Sequence, residues 1–241
     1  MLLGKMIVFG CPPNVITYGT LIDGLCKEGM VEEAKLLFTE MKDKGISPDV
    51  TAYTSLLHGL CCKGKLTEAE ALFIEMVDEG LQLNLVTFSV MIDALRKQGR
   101  MEEANLLLGL MIQRGQPPDI VTYNTLIDAL CKRGRMEKAN SLLELMIQRG
   151  QPPNIVTYNT LIDALCHRGR MEEANSLLEL MIQRSEPPNI VTYNSLINGH
   201  CKERRLDEAN KLLELMIESQ HPDAITYNTL IDGLCKAGRL E

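Results

Sequence analysis

The sequence predicts an all-α fold, a right-handed α-solenoid of tandem 35-residue helix-turn-helix repeats, and three observations support this. The 241 residues include no Trp and only 4% aromatic residues, while Leu, Met, Ala, Glu and Lys, which favour helix over strand, dominate the composition. A Tyr or Phe recurs every 35 residues, and once after 34. Two apolar series with helical spacing lie within each period. No run of about 18 uncharged apolar residues occurs, so no membrane span is predicted.

Alignment on the recurring aromatic residue divides the chain into repeats. The fourth and fifth repeats are identical at 31 of 35 positions, so the periodicity is not accidental. The predicted divisions are the tail of a preceding repeat at 1–14, six full repeats at 15–49, 50–84, 85–119, 120–154, 155–189 and 190–223, and the first helix of a seventh repeat at 224–241. Together they are expected to form one continuous solenoid domain. Position 1 denotes the first residue of each repeat.

Each repeat encodes a helical hairpin, as the fourth repeat illustrates. Its first helix carries apolar residues at i, i+3, i+4 and i+7, and Gly134 ends it because glycine adopts the left-handed conformation without a Cβ penalty. A second apolar series runs from Met136 to Met146 and is closed by Gly150 and two prolines. One hairpin cannot bury both of its faces, so the repeats must stack, with the first helices on the concave face. Glycine recurs at the first turn of the other repeats, except that Arg204 replaces it in the sixth, where we expect a different turn.

The eight cysteines are predicted to be free thiols. Six of them recur at one repeat position, and helices pack roughly 8–10 Å apart, whereas a disulfide needs Cα atoms within about 7 Å. We interpret them as small packing residues in a reducing compartment. No C-x-x-C or H-E-x-x-H pattern occurs, so no metal or other cofactor is expected. No Ser/His/Asp, paired-acid or phosphate-loop constellation occurs either, and the sequence does not predict an enzyme.

The wording of the repeats, as in "IVTYNTLIDALCKRGRMEKA", resembles the pentatricopeptide repeat family of organellar RNA-binding proteins. A tetratricopeptide array would instead show a 34-residue period with a Trp. The uniform repeat length resembles the P class, and the repeat sequence resembles the restorer-of-fertility-like branch of plants. The resemblance implies sequence-selective binding of single-stranded RNA in organellar transcript processing, stability or translation. It implies the mitochondrion first and the chloroplast second, protein partners for RNA processing, and no small-molecule substrate, although no targeting peptide is visible.

The same resemblance implies that each repeat reads one base through position 5 and the last position, while an apolar residue at position 2 grips the base. The base-reading residues are Gly19 with Asp49, Thr54 with Asn84, Ser89 with Asp119, Asn124 with Asn154, Asn159 with Asn189, Asn194 with Asp223, and Asn228 in the partial repeat. The base-gripping residues are Ile16, Val86, Val121, Val156, Val191 and Ile225. The last position, Asp or Asn, is also what a helix N-cap requires.

Charge is distributed unevenly along each repeat. The net charge is −7, yet the four residues around the inter-helix turns carry 15 of the 25 Lys and Arg against two acidic residues. The resemblance implies that the lysine at position 13 binds phosphate, which assigns this role to Lys27, Lys97, Lys132, Lys202 and Lys236. A purely structural interpretation, cations at helix C-termini, is equally compatible with the strip. The acidic pairs that begin the second helices are interpreted as capping and solubility residues.

The implied RNA site is 5′-N-A-G-Y-Y-U-3′, in which Y is a pyrimidine and the first base is left open because Gly19 has no reading side chain. Two alternatives stay open. One is a helical scaffold that binds a protein or peptide on its concave face. The other is an incomplete repeat fragment without independent function, because solenoids need polar terminal caps.

Overall fold

The computed structural model describes residues 6, 8–219 and 221–237, and these residues form helices and no strand. In chain order the helices are α1 (Val15–Lys27), α2 (Val31–Asp43), α3 (Val50–Cys62), α4 (Leu66–Asp78), α5 (Leu85–Lys97), α6 (Met101–Gln113), α7 (Ile120–Lys132), α8 (Met136–Gln148), α9 (Ile155–Cys166), α10 (Met171–Gln183), α11 (Ile190–Lys202), α12 (Leu206–Ser219) and α13 (Ala224–Ala237). The predicted all-α fold of helical repeats is confirmed. No described helix has the length and apolar content to cross a membrane.

The chain forms two compact units, Met1–Pro118 and Asp119–Glu241. In the first unit α1, α3 and α5 pack side by side, and each contacts the second helix of its own hairpin. In the second unit α7, α9, α11 and α13 form the equivalent row, and α8, α10 and α12 pack behind it. A second helix also contacts the first helix of the following repeat, as α2 does with α3 and α10 with α11. Each hairpin therefore buries its apolar faces against its neighbours, as the stacking argument requires.

The core follows the apolar series of the sequence. The recurring aromatic residue at position 4 is buried in the six full repeats, as Tyr53 and Tyr123 show, whereas Tyr227 of the partial repeat is 48% exposed. Tyr53 packs edge-on against Phe38 of α2, with ring centroids 4.8 Å apart. The second series of the fourth repeat, from Met136 to Met146, is likewise buried on α8. These contacts orient each first helix and so fix which side of it faces outward.

The turn between the two helices is the same in all six full repeats. Gly169 has φ +69° and its N–H donates to the carbonyl of Cys166 at 3.2 Å. Arg204 takes the same conformation with φ 59°, and its N–H donates to the carbonyl of Cys201 at 3.1 Å. The prediction of a different turn in the sixth repeat is therefore wrong, because stacking on both sides imposes the left-handed conformation at a cost of about 1–2 kcal/mol. The equivalent Gly238 lies outside the described residues.

The cysteines are free thiols in the structure. Cys131 and Cys166 are buried between stacked first helices, and burial raises the pKa of the Cys131 thiol to about 11 and that of Cys166 to about 12. Cys235 of α13 is exposed. The packing interpretation therefore fits the thiols inside the stack, and a high pKa makes them poor nucleophiles.

Candidate nucleic-acid interface

The last residue of each repeat is the N-cap of the following first helix. The side-chain oxygen of Asn154 accepts a hydrogen bond from the backbone N–H of Thr157 at 3.1 Å, and that of Asp223 accepts from the N–H of Thr226 at 2.9 Å. The same bond, at 2.8–3.1 Å, begins the helices capped by Asp49, Asn84, Asp119 and Asn189. The capping interpretation is confirmed. Because one side-chain oxygen is fixed by the cap, the orientation of the whole Asp or Asn side chain is fixed too.

The residue at position 5 contacts the last residue of its own repeat in the fourth, fifth and sixth repeats. Nδ2 of Asn124 on α7 donates to Oδ1 of Asn154 at 3.3 Å. The equivalent pairs are Asn159 with Asn189, at 3.1 Å, and Asn194 with Asp223, at 3.3 Å. The structure thus brings the two predicted base-reading side chains of a repeat together, although they are about 30 residues apart in the chain.

A threonine at position 3 of the next repeat completes this cluster, and sequence reasoning missed it. Oγ1 of Thr157 donates to Oδ1 of Asn124 at 2.6 Å and accepts from the backbone N–H of Asn154 at 3.2 Å. Thr192 and Thr226 make the same donor bond to Asn159 and Asn194, at 2.6 and 2.7 Å. All three threonines are fully buried. The signal was visible as a Thr recurring at position 3 of every repeat except the second, but its partner in the preceding repeat was not.

Asp and Asn at the last position differ only in the atom that this cluster leaves unused. Oδ1 of Asn154 accepts from Thr157 and from Asn124, and Oδ1 of Asp223 accepts from Thr226 and from Asn194. The other terminal atom, Nδ2 in Asn154 and Oδ2 in Asp223, takes no part in these bonds. Hydrogen bonds from the backbone and side chain of Thr226 lower the pKa of the Asp223 carboxyl, so it is an acceptor at neutral pH. Asn therefore offers a donor where Asp offers an acceptor.

The first unit shows a simpler version of the cluster. Thr54 Oγ1 lies 2.9 Å from Thr87 Oγ1, and Asn84 Oδ1 accepts from Thr87 Oγ1 at 3.0 Å. The cluster is absent from the first repeat, where Gly19 has no side chain, and Ala52 occupies the threonine position of the following repeat. Elsewhere, Ser89 lies at position 5 of α5, and Asn228 is exposed on α13.

The predicted base-gripping residues form exposed apolar positions on the first helices. The side chains of Ile16, Val86, Val121, Val156, Val191 and Ile225 are 53–72% exposed. Position 2 lies three residues before position 5, so both residues share one face of the helix. An apolar side chain therefore stands in solvent beside each reading position, where it is free to contact a ligand. Thr51, the residue at position 2 of the second repeat, is also exposed.

The predicted phosphate-binding lysines are exposed but are paired with aspartates that the sequence analysis did not consider. Lys132 Nζ lies 2.8 Å from Asp128, one helical turn earlier. The equivalent pairs are Lys27 with Asp23, Lys97 with Asp93, and Lys236 with Asp232, at 2.6–2.7 Å. The hydrogen bond that Lys97 donates to the Asp93 carboxylate raises the pKa of Lys97. Lys202 has Asn198 one turn earlier and instead lies 3.4 Å from Nδ1 of His167. A phosphate would therefore compete with a carboxylate at four of the five lysines.

Four of the basic residues that immediately precede a second helix connect that helix to the second helix of the preceding repeat. Arg170 contacts Glu137 of the preceding repeat at 2.9 Å and Glu173 of its own at 2.6 Å. Arg205 likewise contacts Glu172 at 2.7 Å, and Lys65 and Arg100 make equivalent bridges to Glu32 and Glu70. The interpretation of the acidic residues as capping and solubility groups was therefore incomplete, because they also hold consecutive repeats together. These bridges reduce the positive charge that the strip offers to a ligand.

Comparison with known proteins places these repeats in a family. The model of the PPR repeat family matches residues 13–62, 48–97, 91–132, 118–167, 153–199 and 188–236. A pentatricopeptide repeat-containing protein of Arabidopsis thaliana is 54% identical over 37 residues, which are 15% of this chain and 4% of that protein. The crystal structure of the pentatricopeptide repeat protein PPR10 from maize matches with a TM-score of 0.62 at 26% identity, over 98% of this chain and 38% of PPR10.

A second structure, PPR10 in complex with an 18-nt psaJ RNA element, matches with a TM-score of 0.55 at 26% identity, over 96% of this chain and 39% of PPR10. The chain thus spans well under half the length of these relatives. Because the family model matches consecutive segments from residue 13 to residue 236, and the hairpins repeat as those segments do, the chain belongs to the PPR repeat family.

Proposed function

We propose that the chain binds single-stranded RNA in a sequence-selective manner, with one base read by each repeat. The observation that carries the proposal is the side-chain cluster on the first helices, in which Asn124 and Asn154 and their equivalents meet beside an exposed apolar residue such as Val121. An apolar contact and two oriented polar groups are what an unpaired base requires. The similarity to PPR10, which is solved with an RNA element, agrees with this.

The atom left over by the cap explains how Asp and Asn would select different bases. Uracil and guanine carry an N–H at the centre of the Watson–Crick edge, and the free oxygen of Asp223 would accept from it. Cytosine and adenine carry an unprotonated nitrogen there, and Nδ2 of Asn154 would donate to it. The carboxylate of one and the amide of the other are equally good caps. Exchange of Asp and Asn at the last position would therefore change which base is bound without weakening the helix cap.

The proposed site is 5′-N-A-G-Y-Y-U-3′. Thr54 with Asn84 corresponds to A, Ser89 with Asp119 to G, Asn124 with Asn154 and Asn159 with Asn189 to pyrimidines with C over U, and Asn194 with Asp223 to U. We propose an organellar transcript as the target, in the mitochondrion first and the chloroplast second. Binding would act on processing, stability or translation by occupying the transcript, together with protein partners.

Phosphate binding by the lysines would be an exchange of partners. Each of Lys27, Lys97, Lys132 and Lys236 would leave an aspartate for a phosphate, whereas Lys202 has no carboxylate within its own turn to leave. We therefore propose that the lysines position the RNA backbone, each at the expense of its present partner, and that the base contacts supply selectivity.

The test is selection of RNA ligands from a random pool by the purified chain, followed by titration of the enriched sequence and of variants with one base changed. Enrichment of A-G-Y-Y-U, with a defined loss of affinity for each change, is the expected result. Saturable binding without base preference would refute the reading of bases, and the absence of saturable binding would refute RNA binding.

A second candidate function, binding of a protein or peptide, has one observation of its own. Ile74 on α4 and Leu106 on α6 are exposed beside an apolar groove that Phe73, Leu107 and Leu110 also line. The groove is lined mainly by the second helices α4 and α6, with Met91 and Leu95 of α5, and none of its lining residues is a predicted base-reading residue. Replacing Ile74 and Leu106 by Ser should abolish capture of a protein partner and leave RNA affinity unchanged.

A further inference from the structure

We propose that the threonine at position 3 of a repeat positions the base-reading amide of the preceding repeat, an inference that rests on the proposed function. Thr157 belongs to the fifth repeat, yet its hydroxyl donates to Oδ1 of Asn124, the position-5 residue of the fourth, at 2.6 Å. The same bond links Thr192 to Asn159 and Thr226 to Asn194. Specificity at one base therefore depends on a residue of the next repeat.

The hydroxyl determines which end of the amide faces which neighbour. Oγ1 of Thr157 accepts from the backbone N–H of Asn154 at 3.2 Å and has one proton to donate. Two acceptors lie within reach, Oδ1 of Asn124 at 2.6 Å and Oδ1 of Asn154 at 3.1 Å, and the shorter distance favours Asn124. With Oδ1 of Asn124 held there, Nδ2 is turned to Asn154 and keeps a second N–H for a ligand. Without the hydroxyl only the longer bond to Asn154, at 3.3 Å, opposes rotation of the amide by half a turn. The rotated amide would offer an acceptor where it had offered a donor.

Helix capping does not require this hydroxyl. In the second repeat Ala52 stands at position 3, and Asp49 still caps the helix through the Ala52 N–H at 2.8 Å. The preceding position-5 residue in that case is Gly19, which has no amide to orient. The repeat without a position-5 side chain is therefore followed by the repeat without the threonine. Thr157, by contrast, is fully buried, a location where valine would serve packing equally well if the hydroxyl had no partner.

The first experiment measures base discrimination by Thr157→Val, with Thr157→Ser as the conservative variant and Thr160→Val as the matched control. Thr160 lies on the same helix, but among the residues that the structure describes its hydroxyl bonds only the carbonyl of Val156. We expect Thr157→Val to lower the preference for C over A at the fourth base about five-fold, the worth of one net hydrogen bond. Thr157→Ser and Thr160→Val should retain it. The preference at the fifth base, read by the repeat that contains Thr157, should be unchanged in all three.

A wild-type chain that discriminates at the fourth base and a Thr157→Val variant that discriminates equally would overturn the inference. A uniform loss of affinity without a change in the ratio would overturn it as well, since that is the effect of a structural role alone. If the wild-type chain shows no preference at any base, the proposed function itself fails, which is a separate and recognisable outcome.

The second experiment builds the cluster in the first repeat and does not depend on the stability of Thr157→Val. A Cβ at Gly19 would meet no atom within 4 Å, so Gly19→Asn fits. Together with Ala52→Thr it reproduces beside Asp49 the arrangement of the sixth repeat, and the double variant should acquire a preference for U at the first base. Gly19→Asn alone should acquire about five-fold less preference, because its amide would be oriented by Asp49 only and would lack the second hydrogen bond from a threonine. Equal preferences in the single and double variants would overturn the inference.

Discussion

Replacement of the position-4 tyrosine by phenylalanine should have opposite effects in the second and fourth repeats. Tyr53 OH donates to Oε1 of Glu75 at 2.6 Å, and Glu75 is also paired with Lys42. Tyr123 OH is buried and has no hydrogen-bond partner among the described residues. The difference arises at position 26, which is Glu75 in the second repeat and Leu145 in the fourth.

The magnitudes follow from what each hydroxyl loses. A hydrogen bond to a charged group contributes about 1.5–3 kcal/mol, and because the Glu75 side chain is 39% exposed, Tyr53→Phe should cost about 1.5 kcal/mol. The carboxylate retains Lys42 and is not left alone. A buried hydroxyl without a partner costs about 1–3 kcal/mol, part of which Tyr123→Phe would recover. We expect that variant to be stabilised by about 0.5–1 kcal/mol.

Hydrogen exchange of the amides in α3 and α7 is the appropriate assay, because repeat arrays need not unfold in one step. Protection should fall in α3 for Tyr53→Phe and rise in α7 for Tyr123→Phe. Leu145→Glu supplies the control: it should stabilise α7 when Tyr123 is present and not in the Tyr123→Phe background, a double-mutant cycle that isolates the new bond. Equal losses of protection in the two tyrosine variants would refute the reasoning.

Four further outcomes are expected. Arg204→Gly should stabilise the sixth repeat by about 1 kcal/mol in urea denaturation, since glycine relieves the left-handed strain; a loss of stability would contradict this. His200 is buried in a slot that is leucine in other repeats, and burial lowers its pKa below the ordinary 6.5, so the unfolded chain binds the proton first and stability should fall as pH drops below about 6.5; His200→Leu should remove that dependence between pH 7.5 and 5.5. Lys132→Gln should make the slope of log affinity against log salt shallower by about 0.7, and Asp128→Asn, which frees the lysine, should raise affinity at low salt; unchanged slopes would show that this lysine does not bind phosphate. Asn159→Thr reproduces the second-repeat type of pair and should shift the fifth base from pyrimidine to A in competition binding, whereas a purely structural role predicts only a small change in stability.

The helices were predictable because their signals are local. Each signal acts within a few residues of the chain, where the helix period relates sequence spacing directly to position in space. Examples are the apolar series around Tyr123, the glycine at the first turn and the capping residue Asn154. The Lys132–Asp128 pair is also local, because an i, i+4 spacing places the two side chains side by side on one helix.

Contacts between repeats could not be read in the same way. Thr157 and Asn124 are 33 residues apart, and nothing in either segment indicates that the hydroxyl and the amide meet. The same holds for Arg170 and Glu137, which are also 33 residues apart. At Arg204 a local signal gives the wrong prediction. An arginine disfavours the left-handed conformation, but packing against the neighbouring repeats overrides that preference.

One side chain serves stability and specificity at the same time without conflict. In Asn154 and Asp223 the cap and the contact with position 5 both use Oδ1, so the atoms that stabilise the stack are identical in the two residues. The proposed ligand would use the other terminal atom. Exchange of Asp and Asn therefore changes a donor to an acceptor at the surface while the cap, worth about 1 kcal/mol, is preserved. By this reasoning a single substitution at the last position can change which base a repeat reads. A change of the threonine that contacts the reading amide would instead weaken selectivity at that repeat, whichever base it reads.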